Sequence, residues 1–228
     1  MLIAISQRSM KMDKGANRDA LENDYIEYYE KFGITLVPVP NVSRNLDKYF
    51  KDMPINGIIL SGGNSINPAL YGAKGMDEDF SAERDNTEKK LVEIALKRKL
   101  PLLGTCRGGQ FINVFFGGKL VQDIEQKTGT SHVRVGHGVE IVDKKAEKYL
   151  GRKKFVVNSY HKQGVDKSTL SRQLKPFAVS DDGIIEGFYY PKHMIAGILW
   201  HPEREGCDKE ANKKLVKAFI EGKLFWRK

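Results

Sequence analysis

Short apolar runs alternate with amphipathic stretches along most of this chain, a pattern that predicts strands alternating with helices in an α/β domain. Leu2 to Ser6 is apolar up to its serine and predicts a first strand buried on both faces. Ala16 to Phe32 carries a helical period through Leu21, Tyr25 and Tyr28-Tyr29, and Gly33 ends it. Ile34 to Val37 and Gly57 to Leu60 predict two further strands, with a helix around Leu46 to Phe50 between them. Asn64 to Phe80, rich in Gly, Pro and Asn, reads as a loop. Glu83 to Lys97 then predicts a helix with Leu91, Ile94 and Ala95 facing inward and a charged outer face. Farther on the runs shorten and look antiparallel, at Val133 to Val142, Phe155 to Ser159, Phe177 to Ser180, Ile184 to Tyr189 and Ile195 to Trp200. Asp208 to Gly222 closes the chain's pattern as an amphipathic helix carrying Leu215, Phe219 and Ile220.

The run from Pro101 to Gln110 holds the candidate chemistry. Leu102 and Leu103 predict a buried parallel strand that ends at Cys106, and Gly104, Gly108 and Gly109 let the backbone turn sharply into a helix. At a helix N-terminus the free N–H groups and the helix dipole favour a thiolate and can receive an oxyanion. A structural cysteine is the alternative, yet it needs none of these glycines. Near the other end, Met194 to Trp200 predicts a buried strand running straight into His201-Pro202-Glu203. In extended chain residues i and i+2 share a face, so Glu203 can lie beside His201 and set its tautomer. Alone, His-x-Glu reads as a surface pair; beside a poised cysteine it completes the three parts of covalent acyl transfer.

Four blocks together resemble a class I glutamine amidotransferase domain, and more narrowly its γ-glutamyl hydrolase branch. They are Ile58 to Asn64, Gly104 to Ile124 with Gly117-Gly118 and Gln122-Asp123, Val157 to His161, and Gly197 to Glu203, in the family's order over most of the chain. Domains that feed ammonia to a synthase usually resemble Cys-Leu-Gly-x-Gln at the turn, whereas Arg107 after the cysteine is similar to the hydrolases. The resemblance implies a single domain over residues 1–228 with a flavodoxin-like open α/β sheet, helices on its flanks and an antiparallel extension. It implies no cofactor and a small-molecule γ-glutamyl substrate. Cys106 would attack the γ-glutamyl carbonyl to form a thioester, with His201 as proton carrier and Glu203 as its orienter. Backbone N–H groups of Gly62, Gly63 and Arg107 would hold the oxyanion, and Gln110, Asn158, Ser159, Tyr160 and His161 would grip the glutamyl group. Ile5 to Arg8, Asn23 to Tyr25, Ser61 to Asn64 and His201 to Glu205 resemble a subgroup that includes γ-glutamyl-CDP-amidate hydrolase, an activity linked to bacterial surface polysaccharide. That likeness implies a phosphate-bearing leaving group, for which Arg8, just past the first strand, is the candidate contact. A glutaminase subunit serving a separate synthase, and a non-catalytic relative, are the competing classes; intact Cys106, His201 and Glu203 argue against the latter.

Composition narrows this further. The chain has 228 residues, 40% of them hydrophobic, which permits a sizeable core. No apolar run approaches the roughly 20 residues that span a bilayer, and no signal-peptide pattern opens the chain, so a cytoplasmic protein without membrane contact is expected. Cys106 and Cys207 make no disulfide framework, and without Cys-x-x-Cys or His-x-x-x-His spacing no metal site is expected. The net charge of +9 admits a solvated surface, an anionic substrate or nucleic acid. The lysines scatter over predicted helix faces and turns without interleaved aromatic residues, which disfavours nucleic acid. A homo-oligomer remains open.

Overall fold

The computed structural model describes residues 1–12, 15–42, 44–74 and 79–222. β1 (Leu2–Ser6) leads into a small hairpin of β2 (Arg8–Lys11) and β3 (Asn17–Ala20), then α1 (Asn23–Glu30), β4 (Thr35–Val39), α2 (Leu46–Asp52) and β5 (Ile55–Leu60). A short 3₁₀ turn at Pro68–Tyr71 precedes α3 (Ala82–Arg98), β6 (Leu102–Thr105) and α4 (Arg107–Phe115). The remainder comprises α5 (Ile124–Thr128), β7 (Val133–Ile141), α6 (Lys144–Leu150), β8 (Lys154–Tyr160), β9 (Lys175–Ser180), β10 (Ile185–Tyr190), β11 (Ile195–Ile198) and α7 (Lys209–Ile220).

A nine-stranded sheet in the order β4-β1-β5-β6-β11-β10-β9-β7-β8 carries the molecule. From β4 to β11 every neighbour is parallel, and from β11 to β8 every neighbour is antiparallel. The parallel strands are apolar runs because both of their faces are covered. Leu46 and Phe50 of α2, Leu91 of α3 and Ile112 of α4 pack on one face, and Tyr25 and Tyr29 of α1 with Leu215 and Phe219 of α7 pack on the other. Ligand sites in open parallel sheets lie beyond the carboxyl ends of the strands, here the ends of β1, β5, β6 and β11.

Four expectations need correction. The predicted helix from Ala16 is instead β3 followed by a shorter α1, because Asp19 is engaged elsewhere: its carboxylate accepts from the Asn41 backbone N–H at 2.8 Å and side-chain amide at 2.7 Å. The last strand, read as one of the antiparallel set, pairs parallel with β6 on one side and antiparallel with β10 on the other, so it is the seam of the sheet. The inward stripe of the Glu83–Lys97 segment is not wholly apolar, since Arg84, Asp85 and Glu88 are buried on it. Short helices α5 and α6, unpredicted, begin at Asp123 and Asp143, whose side chains accept from Gln126 and from Lys145 and Ala146 N–H groups. Part of the expected Asn64–Phe80 loop, residues 75–78, lies outside the described residues.

Candidate active site

Cys106 stands between β6 and α4 at φ +51° and ψ −111°, a left-handed backbone that a residue with a Cβ rarely adopts. Its neighbours hold it there. The Cys106 N–H donates to Ile198 O at 2.8 Å, and its carbonyl accepts from Gln110 N–H at 3.0 Å to start the helix. The turn also requires close backbone packing, since a Cβ on Gly108 would meet Leu60 O at 2.1 Å. Such strain costs on the order of 1–3 kcal/mol and is characteristic of functional turns.

β11 delivers His201 to the same place from the adjacent strand, which explains why residues so far apart in sequence meet. His201 and Cys106 are both buried and line the same cleft. On its far side His201 Nδ1 lies 2.5 Å from Glu203 Oε1, and the Glu203 side chain has no exposed surface. Asn158 clasps this corner: its Oδ1 accepts from His201 N–H at 2.9 Å, while its amide donates to His201 O at 2.9 Å and Glu205 O at 2.8 Å. Burial by itself pushes the Cys106 thiol up, but the His201 charge and hydrogen bond, with a further N–H from Arg107, bring it below its ordinary value. Burial likewise opposes protonation of His201, yet Cys106 and Glu203 outweigh it and hold the imidazolium up to about 10. Both shifts favour a thiolate beside an imidazolium.

Beneath the turn after β5 lies a buried ionic lattice. Arg84 donates to Gly63 O at 2.7 Å, Ser61 O at 2.8 Å and Gly62 O at 2.9 Å, so three successive carbonyls point away from Cys106 and toward the guanidinium. Glu88 accepts from Arg84 at 3.0 Å and from the Ser6 hydroxyl at 2.8 Å, and its second oxygen pairs with Arg107. Arg107 also reaches Asp85 at 2.5 Å. Two arginines and two carboxylates thus join the β5 turn to the first residue of α4. The predicted reading used only the backbone of Arg107; its side chain is part of this lattice. Gly62 N–H donates to the Tyr25 hydroxyl at 2.9 Å, whereas Gly63, at φ +80°, turns the chain past Arg8.

A cleft of about 730 Å³ opens over the cysteine and is lined by Cys106, His201, Gln110, Tyr160, His161, Gly63 and Arg8 among others. Gln110 donates to Gln163 O at 2.7 Å, and the Tyr160 ring stands edge-on to His201 at 5.6 Å. Asn158 and Ser159, expected in the substrate grip, do not line it. Asn158 serves the His201 corner, and the Ser159 hydroxyl donates to His132 O at 2.7 Å. Arg134, Lys162 and Arg204 line the rim unforeseen, and Arg204 lies 4.6 Å over the Tyr160 ring while pairing with Glu22 at 2.5 Å. No linear motif marked Arg134 or Lys162, and Arg204 entered only within the His201 to Glu205 block, because the three gather from separate segments of the chain.

The fold is that of the glutamine amidotransferases: a glutamine amidotransferase of Thermotoga maritima superposes with a TM-score of 0.60, covering 97% of this chain and 83% of that one at 18% identity. Over residues 1–203 the chain matches Peptidase C26, and it belongs to that family of hydrolases. Among its relatives is γ-glutamyl-CDP-amidate hydrolase of Campylobacter jejuni, 32% identical over 208 residues, 90% of this chain and 91% of that protein. Another is γ-glutamyl-γ-aminobutyrate hydrolase of Escherichia coli O157:H7, 29% identical over 228 residues, 91% of this chain and 87% of that protein. Among the described residues no helix is long and apolar enough to cross a membrane.

Proposed function

We propose that this protein hydrolyses a γ-glutamyl amide through Cys106, His201 and Glu203. The observation that carries the reading is a buried cysteine at a strained turn sharing one cleft with a buried histidine, whose far side lies 2.5 Å from Glu203 Oε1. Cys106 Sγ attacks the γ-carbonyl carbon, and the carbonyl electrons move to oxygen. We assign that oxyanion to the N–H groups of Gly63 and Arg107, since Gly62 N–H is committed to Tyr25. As the oxyanion collapses, the C–N bond breaks and His201 hands its proton to the leaving nitrogen. A thioester remains on Cys106. Water then attacks it while His201 takes the proton, the C–S bond breaks, and glutamate leaves with the thiolate restored. Gln110, Tyr160 and His161 lie on the cleft wall, and we assign to them the glutamyl amino and carboxylate groups.

The leaving group we favour is anionic, and a nucleotide-linked amidate fits. Arg8, Arg134, Lys162 and Arg204 outnumber Glu22 and Asp79 around the cleft, so its field is positive where the leaving group emerges. Release of glutamate from three substrates tests both levels: γ-glutamyl-CDP-amidate, γ-glutamyl-γ-aminobutyrate and glutamine. The expected order of kcat/KM is amidate, aminobutyrate, glutamine. Preference for the aminobutyrate would remove the anionic refinement alone, and preference for glutamine would point to an ammonia-supplying subunit.

A further inference from the structure

On the antiparallel half of the sheet three imidazoles converge on one carboxylate that the proposed reaction does not use. Glu186 of β10 has no exposed surface. Its Oε1 lies 3.2 Å from Nδ1 of His132, just ahead of β7, and 3.6 Å from Nε2 of His137 in β7; its Oε2 lies 3.5 Å from Nε2 of His161. None of these five atoms has a partner in hydrogen-bond geometry. The opposite ring nitrogens are all engaged by acceptors. His132 Nε2 meets Asp182 Oδ2 at 3.0 Å, His137 Nδ1 meets Gly138 O at 3.3 Å, and His161 Nδ1 meets Gln163 O at 3.0 Å. Carboxylates and carbonyls only accept, so those outer nitrogens carry protons, while the inner nitrogens of His132 and His137 face Glu186 Oε1 without a partner in hydrogen-bond geometry.

Unpartnered ring nitrogens around a buried carboxylate call for positive charge between them. Protonating every ring would set imidazolium charges against one another, since the His132 ring centroid is 4.5 Å from that of His137 and 5.3 Å from that of His161. One divalent cation answers the arrangement with less internal repulsion. We propose that His132 Nδ1, His137 Nε2 and a Glu186 oxygen bind a zinc-class divalent transition metal, tying β7 to β10 across β9. The three donor atoms lie within 4.8 Å of one another, and the 3.2 and 3.6 Å separations bracket the ligand–ligand edge of roughly 3.4 Å that a tetrahedron with ~2.0–2.1 Å bonds would have. Two imidazoles and a carboxylate suit zinc, nickel or cobalt over magnesium or calcium, which take oxygen ligands. Asp182 holding the outer N–H of His132 is the supporting contact that metal-bound histidines characteristically make. Water completes the fourth position, and His161 stays on the second Glu186 oxygen, facing the cleft. The site is independent of the γ-glutamyl reading.

The test is titration of chelator-treated protein with Co²⁺, read by the visible bands of four-coordinate cobalt, followed by displacement with Zn²⁺ and elemental analysis of the product. One equivalent per chain is expected. Asp182→Asn should weaken binding by about 10- to 100-fold, and His137→Gln, a change at a partly exposed ring checked for folding by circular dichroism, should abolish the bands. Cys106→Ala should bind as wild type does. Absence of saturable cobalt binding, its survival in a folded His137→Gln protein, or its loss in Cys106→Ala would each overturn the proposal.

Discussion

Cys106 is strained, buried and biased toward its charged form, and each of those properties comes from a different neighbour. Ile198 O and the Gly108 contact hold the backbone, burial removes water, and His201 supplies the counter-charge. Cys106→Ala should therefore abolish turnover, by roughly 10⁶-fold in kcat, whereas Glu203→Gln should lose about 10⁴-fold and stay measurable, as the third member of such a unit does. Rates of glutamate release check both. The pH profile separates roles more finely. Attack needs the thiolate, which forms below the ordinary thiol range, and leaving-group protonation needs the imidazolium, which persists up to about 10. Activity should accordingly hold across neutral pH and fall as pH rises through about 10. Because the Glu203 charge is one cause of the raised His201 value, Glu203→Gln should move the alkaline limb to lower pH. An unmoved limb would show that Glu203 only packs. Cys207 offers an internal control: burial pushes its thiol up to about 11, so iodoacetamide should label Cys106 first.

At the scale of elements, α3 carries more of the site than its composition advertises. Arg84 and Glu88 fall on the same helical stripe as Leu91 and Ala95, three to four residues apart, and that spacing was the available signal that these charges face inward. Charge usually marks a solvated face, which is why the stripe read as ending at Leu91. Glu88 partners two buried arginines and Ser6, so Glu88→Gln leaves excess positive charge in a dry lattice and should cost about 3–5 kcal/mol of stability. Urea unfolding measures this. Loosening of the carbonyls that Arg84 holds should also lower kcat more than it raises KM if the Gly62–Gly63 turn holds the oxyanion as proposed. A variant with wild-type stability would mean that water replaces the carboxylate. The hairpin of β2 and β3 shows the converse limit: Asp19 and Asn41 outbid a helical period that the local sequence carries in full.

Across the whole molecule the net charge of +9 acquires a location, because several of its cations line one rim of the cleft. Arg8 is half-exposed and sits 3.5 Å from Asp79, so its attraction for a phosphate is partly screened. Arg8→Ala should cost about 1.5 kcal/mol, roughly tenfold in kcat/KM, for a phosphate-bearing γ-glutamyl amide and little for a neutral one. The ratio of the two specificities in wild type and variant decides it, and an unchanged ratio would return Arg8 to its ion pair. The sequence alone determined the alternating architecture, the strand–turn–helix at Cys106 and the His201–Glu203 pair, because strand periods, glycines at a sharp turn and i, i+2 spacing act over a few residues. Only the tertiary structure decided that β11 is the seam bringing His201 to Cys106, that Asn158 clasps the histidine corner, that Arg84 and Glu88 lie beneath the Gly62–Gly63 turn, and that His132, His137 and Glu186 converge. Those meetings depend on strand order and on which charges are buried together, and neither is encoded in the spacing of neighbouring residues.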